Sequence, residues 1–326
     1  VTDAAGNIVK LPVNKAHAFI KCEPRMSMLA HRLKVNWADG RDWSCDEQDV
    51  GFQGRHALTQ RITYKDEGDG FLFDSICQDG YTKAFWVRGI PLPRQPEPEL
   101  SETTNRCMHL FEQLDPPKDG GFYHCYEDNL FNSVSFSAAA WKRHVATCGV
   151  VRKSGRGIPG KVKQEELTGK RAEAAKGTTR SAVRKFVLGG GLPDMVCLMV
   201  SLYDSKPVHL ISTIHTVVSV VDKERIVWRP EEGKRQKVTF PRLNVIDDYN
   251  FGMGNVDITD QLRGSYRPDR FMRQRKWWWA IYVWTIGTAC TAAFIVYNKV
   301  CAAHGIPKNR RMSHLRFQAK LAQQLC

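Results

Sequence analysis

Apolar and polar positions alternate between two periods along the chain. Phe71 to Ile76 and Thr82 to Val87 are short β-favourable runs joined through Gln78-Asp79-Gly80-Tyr81, and Asp-Gly between two such runs predicts a tight hairpin. After the Pro-rich segment 91–98, Met108, Leu110, Phe111 and Leu114 share one helical face within Leu100–Leu114, a helix that Pro116-Pro117 ends. Phe122–Tyr126 reads as a strand, Ser133–Val145 as a helix opened by a Ser cap, and Thr147–Val151 as another strand. Strands alternating with helices predict a layered α/β architecture.

Before this core, residues 1–66 are mixed, with Trp37, Trp43 and Phe52 as expected anchors. Beyond it, residues 155–193 are basic, glycine-containing and poor in large apolar side chains, and two β-rich runs follow, Val196–Leu202 and Val208–Thr213, with a turn at 204–207. The stretch 155–242 is expected to be an inserted subdomain rather than a continuation of the first sheet. The chain is helical by pattern from Asn255 on. Trp277–Tyr297 holds no formal charge over 21 residues, and a helix needs about 20 residues to cross a bilayer. Its Thr, Gly, Cys and Ala content and the basic segments on both sides favour a helix buried in protein, with no membrane partner.

Charge changes the picture. The 326 residues carry 48 Lys and Arg against 34 Asp and Glu, a formal charge of +14. The excess is localised: Arg152–Lys185 holds eleven basic residues against three Glu, Arg263–Lys276 holds six against Asp269, and Lys308–Lys320 holds five with no acid. Localised positive runs are the electrostatic footprint expected for a polyanion such as DNA, whose phosphates Lys and Arg neutralise with release of counterions. The candidate contacts are Arg152, Lys153, Arg156, Lys161, Lys163, Arg263, Arg267, Arg270, Arg273, Arg275 and Lys276. Ten cysteines form no close pair, so they read as free thiols in a reducing compartment. His124 and His215 read as structural residues. The chain opens on Val1 without a signal-peptide pattern, which leaves room for a preceding segment.

Metal-assisted DNA cleavage and joining needs carboxylates from separate elements around two divalent ions. Asp128 follows the Phe122–Tyr126 strand after Glu127, at the carboxyl end where open α/β sheets place ligands. Asp257 and Asp260 stand three apart and share a face if helical; a helix N-terminal carboxylate is the plainer reading of either alone.

Four stretches resemble the piggyBac-type transposases and the proteins derived from them: Asp46-Glu47-Gln48 with Phe52-Gln53-Gly54-Arg55; Tyr126-Glu127-Asp128-Asn129-Leu130-Phe131-Asn132-Ser133 with Gly149 to Lys153 and Ile158-Pro159; Tyr203 to Val208 with Leu210 to Thr213; and Tyr249-Asn250 through Asp257, Asp260, Gln261 and the Trp-rich helix. The resemblance spans about residues 40 to 300. It implies an RNase H-like α/β fold with a mixed sheet, an inserted subdomain, and flanking helical segments for dimerisation and DNA binding. The expected boundaries are 1–66 for the N-terminal flank, 67–154 for the first part of the core, 155–242 for the insertion, 243–266 for the last core helix and 267–326 for the C-terminal segment.

Carried over by position, the second catalytic carboxylate falls on Asp128 and the third on Asp257, with Asp260 assisting. The first is expected in a Cys-Asp-x-Gly-Tyr context, matched by Cys77-Gln78-Asp79-Gly80-Tyr81. Gln78 then takes the strict register, Asp79 is the expected ligand, and Asp74 is the other candidate on that strand. The resemblance further implies two Mg²⁺ or Mn²⁺ ions, strand nicking and transfer at transposon ends, TTAA targets, a homodimer and a nuclear location. A catalytically inactive DNA-binding derivative is the other reading, because Gln cannot give a divalent ion an anionic oxygen.

Overall fold

The computed structural model describes residues 19–61, 68–152, 159, 162, 178–203, 207–266 and 276–325. The chain divides into two compact units, one formed by 1–38, 47–95 and 256–326, the other by 39–46 and 96–255. Two elements change unit part-way: β1 (Asp42–Gly51) between Asp46 and Glu47, and α4 (Asn244–Ser265) between Asn255 and Val256.

The first unit contains α1 (Glu23–Val35), the end of β1, β2 (Gln60–Arg61), β3 (Asp69–Gln78), β4 (Tyr81–Val87), the end of α4, α5 (Trp277–Ala303) and α6 (His314–Leu325). β3 pairs antiparallel with β2 and with β4, and the β3–β4 hairpin is the one expected from Asp79-Gly80. Both turn residues have positive φ, 52° at Asp79 and 79° at Gly80, which matches the right-handed twist of the flanking strands. Aromatic packing fills the interior: Trp37 stacks on Tyr81 with centroids 4.3 Å apart, and Trp284 of α5 stacks on Phe73 at 4.3 Å and meets Phe85 edge-on at 4.8 Å. The apolar α5 is long and apolar enough to cross a membrane by length and composition. Here Ile281, Trp284, Thr285, Thr288 and Thr291 face protein. Of the three consecutive tryptophans that open it, Trp277 meets Phe19 and Trp279 stacks on Tyr282, as the 100° step between neighbours on a helix requires.

The second unit contains the start of β1, α2 (Glu102–Phe111), β5 (Tyr123–Glu127), α3 (Val134–Trp141), β6 (Val145–Val151), β7 (Thr179–Phe186), β8 (Met195–Tyr203), β9 (Pro207–Ser212), β10 (Val220–Arg229), β11 (Lys234–Leu243) and the start of α4. Ser101 and Ser133 cap α2 and α3, each accepting a backbone N–H three residues on. The strand order is β1-β5-β6-β9-β8-β7, with β1, β5 and β6 parallel and the rest antiparallel. The fold is thus a mixed α/β sheet, as expected. One expectation is corrected: β8 and β9 continue the first sheet through the β6–β9 pairing, Cys148 to Ser212 and Val151 to His209. Their near-continuous apolar runs bury both faces, in one cluster around Trp141, Met195 and Met199 and another around Tyr126, Leu198 and Leu210. Within 155–242, β10 and β11 form a separate two-stranded ribbon.

Candidate active site

Strand β1 was not legible as a strand in the sequence, and it matters most for the site. It lies parallel to β5, with Asp42 beside His124, Trp43 beside Cys125, Ser44 beside Tyr126 and Cys45 beside Glu127. The next residue on each chain is a carboxylate, Asp46 on β1 and Asp128 just past the end of β5. Neighbouring strands run about 4.8 Å apart. Side chains alternate along a strand, so Asp46 falls on the face of Ser44 and away from Cys45.

The first half of α4 covers that face. Tyr249 and Met253 pack with Tyr126, Leu210 and Val245. A Cβ at Gly252 would stand 2.1 Å from the Tyr126 ring, so only glycine lets the helix come this close. Burial, then the charges of Asp128, Glu127 and Asp46, push the Tyr249 phenol above its ordinary range. The Tyr249 hydroxyl therefore stays protonated at neutral pH beside two half-buried aspartates. Gly252→Ala should destabilise the chain by about 1–3 kcal/mol through overpacking, despite alanine's higher helix propensity. A denaturant midpoint at or above that of the parent would show that the helix can move aside.

Glu127 points the other way. Its side chain is wholly buried, neither carboxylate oxygen has a geometric hydrogen bond among the described residues, and burial raises its pKa well above the carboxylate range, opposed by the Cys148 N–H. A carboxyl whose charged form burial disfavours, on the alternate face of the strand from the Asp46 side, is a poor cation ligand. Asn132 supports the strand end by donating to the Gly149 carbonyl at 2.6 Å. His124 donates from Nδ1 to Asp42 Oδ1 at 3.2 Å, which lowers the Asp42 pKa. His215 bridges Ser212 and Asp248, each at 2.9 Å. Both histidines are held as structural residues.

The sequence-derived candidates sit as follows. Asp79 is exposed at the hairpin tip, and Asp74 is fully buried in an ion pair with Arg88. Gln78, 5% exposed, accepts a hydrogen bond from Trp37 Nε1 at 2.9 Å; its side chain serves the interior of the hairpin. Gln78→Asp should cost about 1–3 kcal/mol, because the shorter side chain leaves the indole N–H unpaired, and should raise no activity. A gain of DNA cleavage in that variant would restore Gln78 to the site. Asp257 is exposed on α4, while Asp260, half-buried, pairs with Arg263 at 2.7 Å.

Of the basic candidates, Arg152 is exposed, with Nε 3.5 Å from Asn129 Oδ1, and Lys276 is exposed beside the Trp278 ring. Arg263 is largely buried and also donates to the Asp49 carbonyl at 3.3 Å, so its guanidinium is a structural tie. Lys153, Arg156, Lys161, Lys163, Arg267, Arg270, Arg273 and Arg275 lie outside the described residues. Asp46 lies in the Asp46-Glu47-Gln48 stretch of the family resemblance, outside the carboxylates which that resemblance names. Two signals could have found it: the stretch itself, and its place one residue past Cys45 as Asp128 is one past Glu127.

The donor chemistry suits a hard divalent ion: two aspartates at the carboxyl ends of neighbouring parallel strands offer anionic oxygen. Among the described residues no set of three or more His, Cys, Asp or Glu side chains is grouped as a metal cage. The sequence matches the family described as Transposase IS4 over residues 7–294. The chain belongs to this transposase family. A solved structure titled as the cryo-EM structure of a piggyBac transposase synaptic complex with hairpin DNA matches its fold with a TM-score of 0.67 at 20% identity, over 95% of this chain and 57% of that one. The chain thus spans a little over half the length of that transposase. The family rests on the sequence match, and the mixed α/β fold is one that this solved structure shares.

Proposed function

We propose that this chain is the catalytic part of a piggyBac-like DNA transposase, with Asp46 and Asp128 as the central pair of metal-binding carboxylates and double-stranded DNA as substrate. The carrying observation is the parallel β1–β5 register that ends in these two aspartates beneath Tyr249. Asp46 takes the place that the sequence reading gave to Asp79, and Gln78, occupied with Trp37, then has no bearing on activity. The resemblance supplies Asp257 as the third carboxylate and Asp260 as its assistant.

Divalent ions bound there would activate the attacking oxygen and stabilise the leaving one. The chain's own residues orient them: Asp46 and Asp128 offer anionic oxygen, and the Tyr249 hydroxyl remains a neutral donor at their side. Nicking and strand transfer at transposon ends, TTAA target choice, a homodimeric assembly and a nuclear location complete the proposal by resemblance. A plasmid excision assay tests it, comparing the parent chain with Asp128→Asn and Asp257→Asn. Both variants should fall to background; excision equal to the parent in both would overturn the reading.

A further inference from the structure

Strand β6 outlasts its neighbour β5. The β5–β6 register ends with Glu127 beside Gly149, while β6 continues through Val150 and Val151, which pair with Leu210 and His209 of β9. A buried carbonyl at such an edge needs a donor that the departed strand no longer supplies. The Asn132 side chain provides one: Nδ2 donates to the Gly149 carbonyl at 2.6 Å.

Backbone bonds close the same turn from within. The Asp128 carbonyl accepts from the Phe131 N–H at 3.1 Å and from the Asn132 N–H at 3.3 Å, and the buried Phe131 ring anchors the turn in the core. Asn132 is thus joined to Asp128 by its backbone and to β6 by its side chain. Gly149 makes room for this tie: a Cβ there would stand 2.3 Å from the Glu127 carbonyl oxygen and 2.9 Å from Asn132 Nδ2. Asn132 is 8% exposed, and its Oδ1 has no geometric hydrogen bond among the described residues. Burying an amide with its acceptor unmatched costs more than burying an apolar side chain of similar size. Packing alone therefore does not account for an asparagine at this position.

We infer that Asn132 is a positioning residue for Asp128. Its amide fixes the point at which the chain leaves the sheet, and the direction of the Asp128 Cα–Cβ bond follows from that point. The carboxylate is thereby held at the carboxyl end of β5, next to the stretch of β1 that carries Asp46. Without the tie, the half-buried Asp128 side chain swings with its turn. Groups that orient a metal ligand typically contribute roughly 10–100-fold to metal affinity or activity. The inference rests on the reading of Asp46 and Asp128 as metal-binding carboxylates, and it gives a part in the reaction to a side chain which that reading leaves without one.

The test uses the full chain and two variants: Asn132→Leu keeps the branched shape without the donor, and Asn132→Ala removes the side chain, so that one folded variant suffices. Ser101→Ala, which loses the cap of α2 in the same unit, controls for stability. Calorimetric titration with Mn²⁺ reads metal binding apart from turnover. Nicking of the excision plasmid in Mn²⁺ separates the rate at saturating plasmid from the half-saturating concentration. Both Asn132 variants should bind Mn²⁺ about tenfold more weakly and nick roughly 10–100-fold more slowly at saturation, with the half-saturating concentration within about twofold of the parent. Ser101→Ala should match the parent in both readouts despite a lower unfolding temperature. Parent-level Mn²⁺ binding and nicking in a folded Asn132 variant, with Asp128→Asn inactive, overturns this inference alone. The same losses in Ser101→Ala, or failure of both Asn132 variants to fold, assigns the residue to general stability and overturns it too. A parent that neither binds Mn²⁺ nor nicks overturns it together with the transposase reading.

Discussion

Asp46→Asn should abolish DNA cleavage, while Asp79→Asn leaves it unchanged. Asn keeps the shape of Asp but removes the anionic oxygen that a hard divalent ion requires. Losing one of two central carboxylates should slow nicking on the order of a thousandfold, about 4 kcal/mol of transition-state stabilisation at 1.4 kcal/mol per tenfold. The Asp79 comparison is clean because Asn tolerates the positive φ of 52° at that position, so the hairpin keeps its turn. Excision frequency gives the first readout. Calorimetric titration with Mn²⁺ gives the second, where Asp46→Asn should weaken binding and Asp79→Asn should match the parent. Parent-level excision by Asp46→Asn, or background excision by Asp79→Asn, would return the first ligand to the hairpin.

The contrast between these two aspartates shows how far the sequence could be read. The hairpin was legible because Asp79-Gly80 carries its own turn chemistry, and α2 and α3 because their serine caps and apolar periods are local. β5 and β6 were legible as apolar runs bounded by turns. Strand β1 was not, because Asp42-Trp-Ser-Cys-Asp-Glu-Gln-Asp-Val-Gly alternates poorly: Trp43, Ser44 and Cys45 are all buried in a row, so no period of two appears. Its identity as the neighbour of β5 is a long-range pairing that no local pattern encodes. Under the proposal the first carboxylate moves from the most recognisable strand to β1, since the sheet chooses the partner of β5 by topology. The continuation of the sheet into β9 and β8 was hidden for the same reason, with the basic, glycine-containing stretch masking the return of the chain to β6.

Arg88→Met should be the most destabilising single change outside the site, by about 3–5 kcal/mol. Arg88 reaches Asp74, whose side chain is fully buried, and Glu47 at 2.5 Å, whose side chain is 11% exposed. Removing one partner of such a group leaves carboxylates that were taken out of water for a charge no longer there, which costs more than the ion pair itself contributes. Met fills the volume of the aliphatic stem, so a cavity accounts for little of the loss. Adding Asp74→Asn to Arg88→Met should recover a substantial part, because the buried charge disappears with its partner, and the two changes should couple by 0.5–3 kcal/mol, roughly the range for contacting residues. Urea denaturation of the parent, both single variants and the double variant measures this cycle. Strict additivity would mean that Arg88 acts by packing alone. Because Glu47 directly follows Asp46 on β1, the same ion pair pins the strand next to the proposed ligand, and excision by Arg88→Met should fall even at temperatures where the variant remains folded.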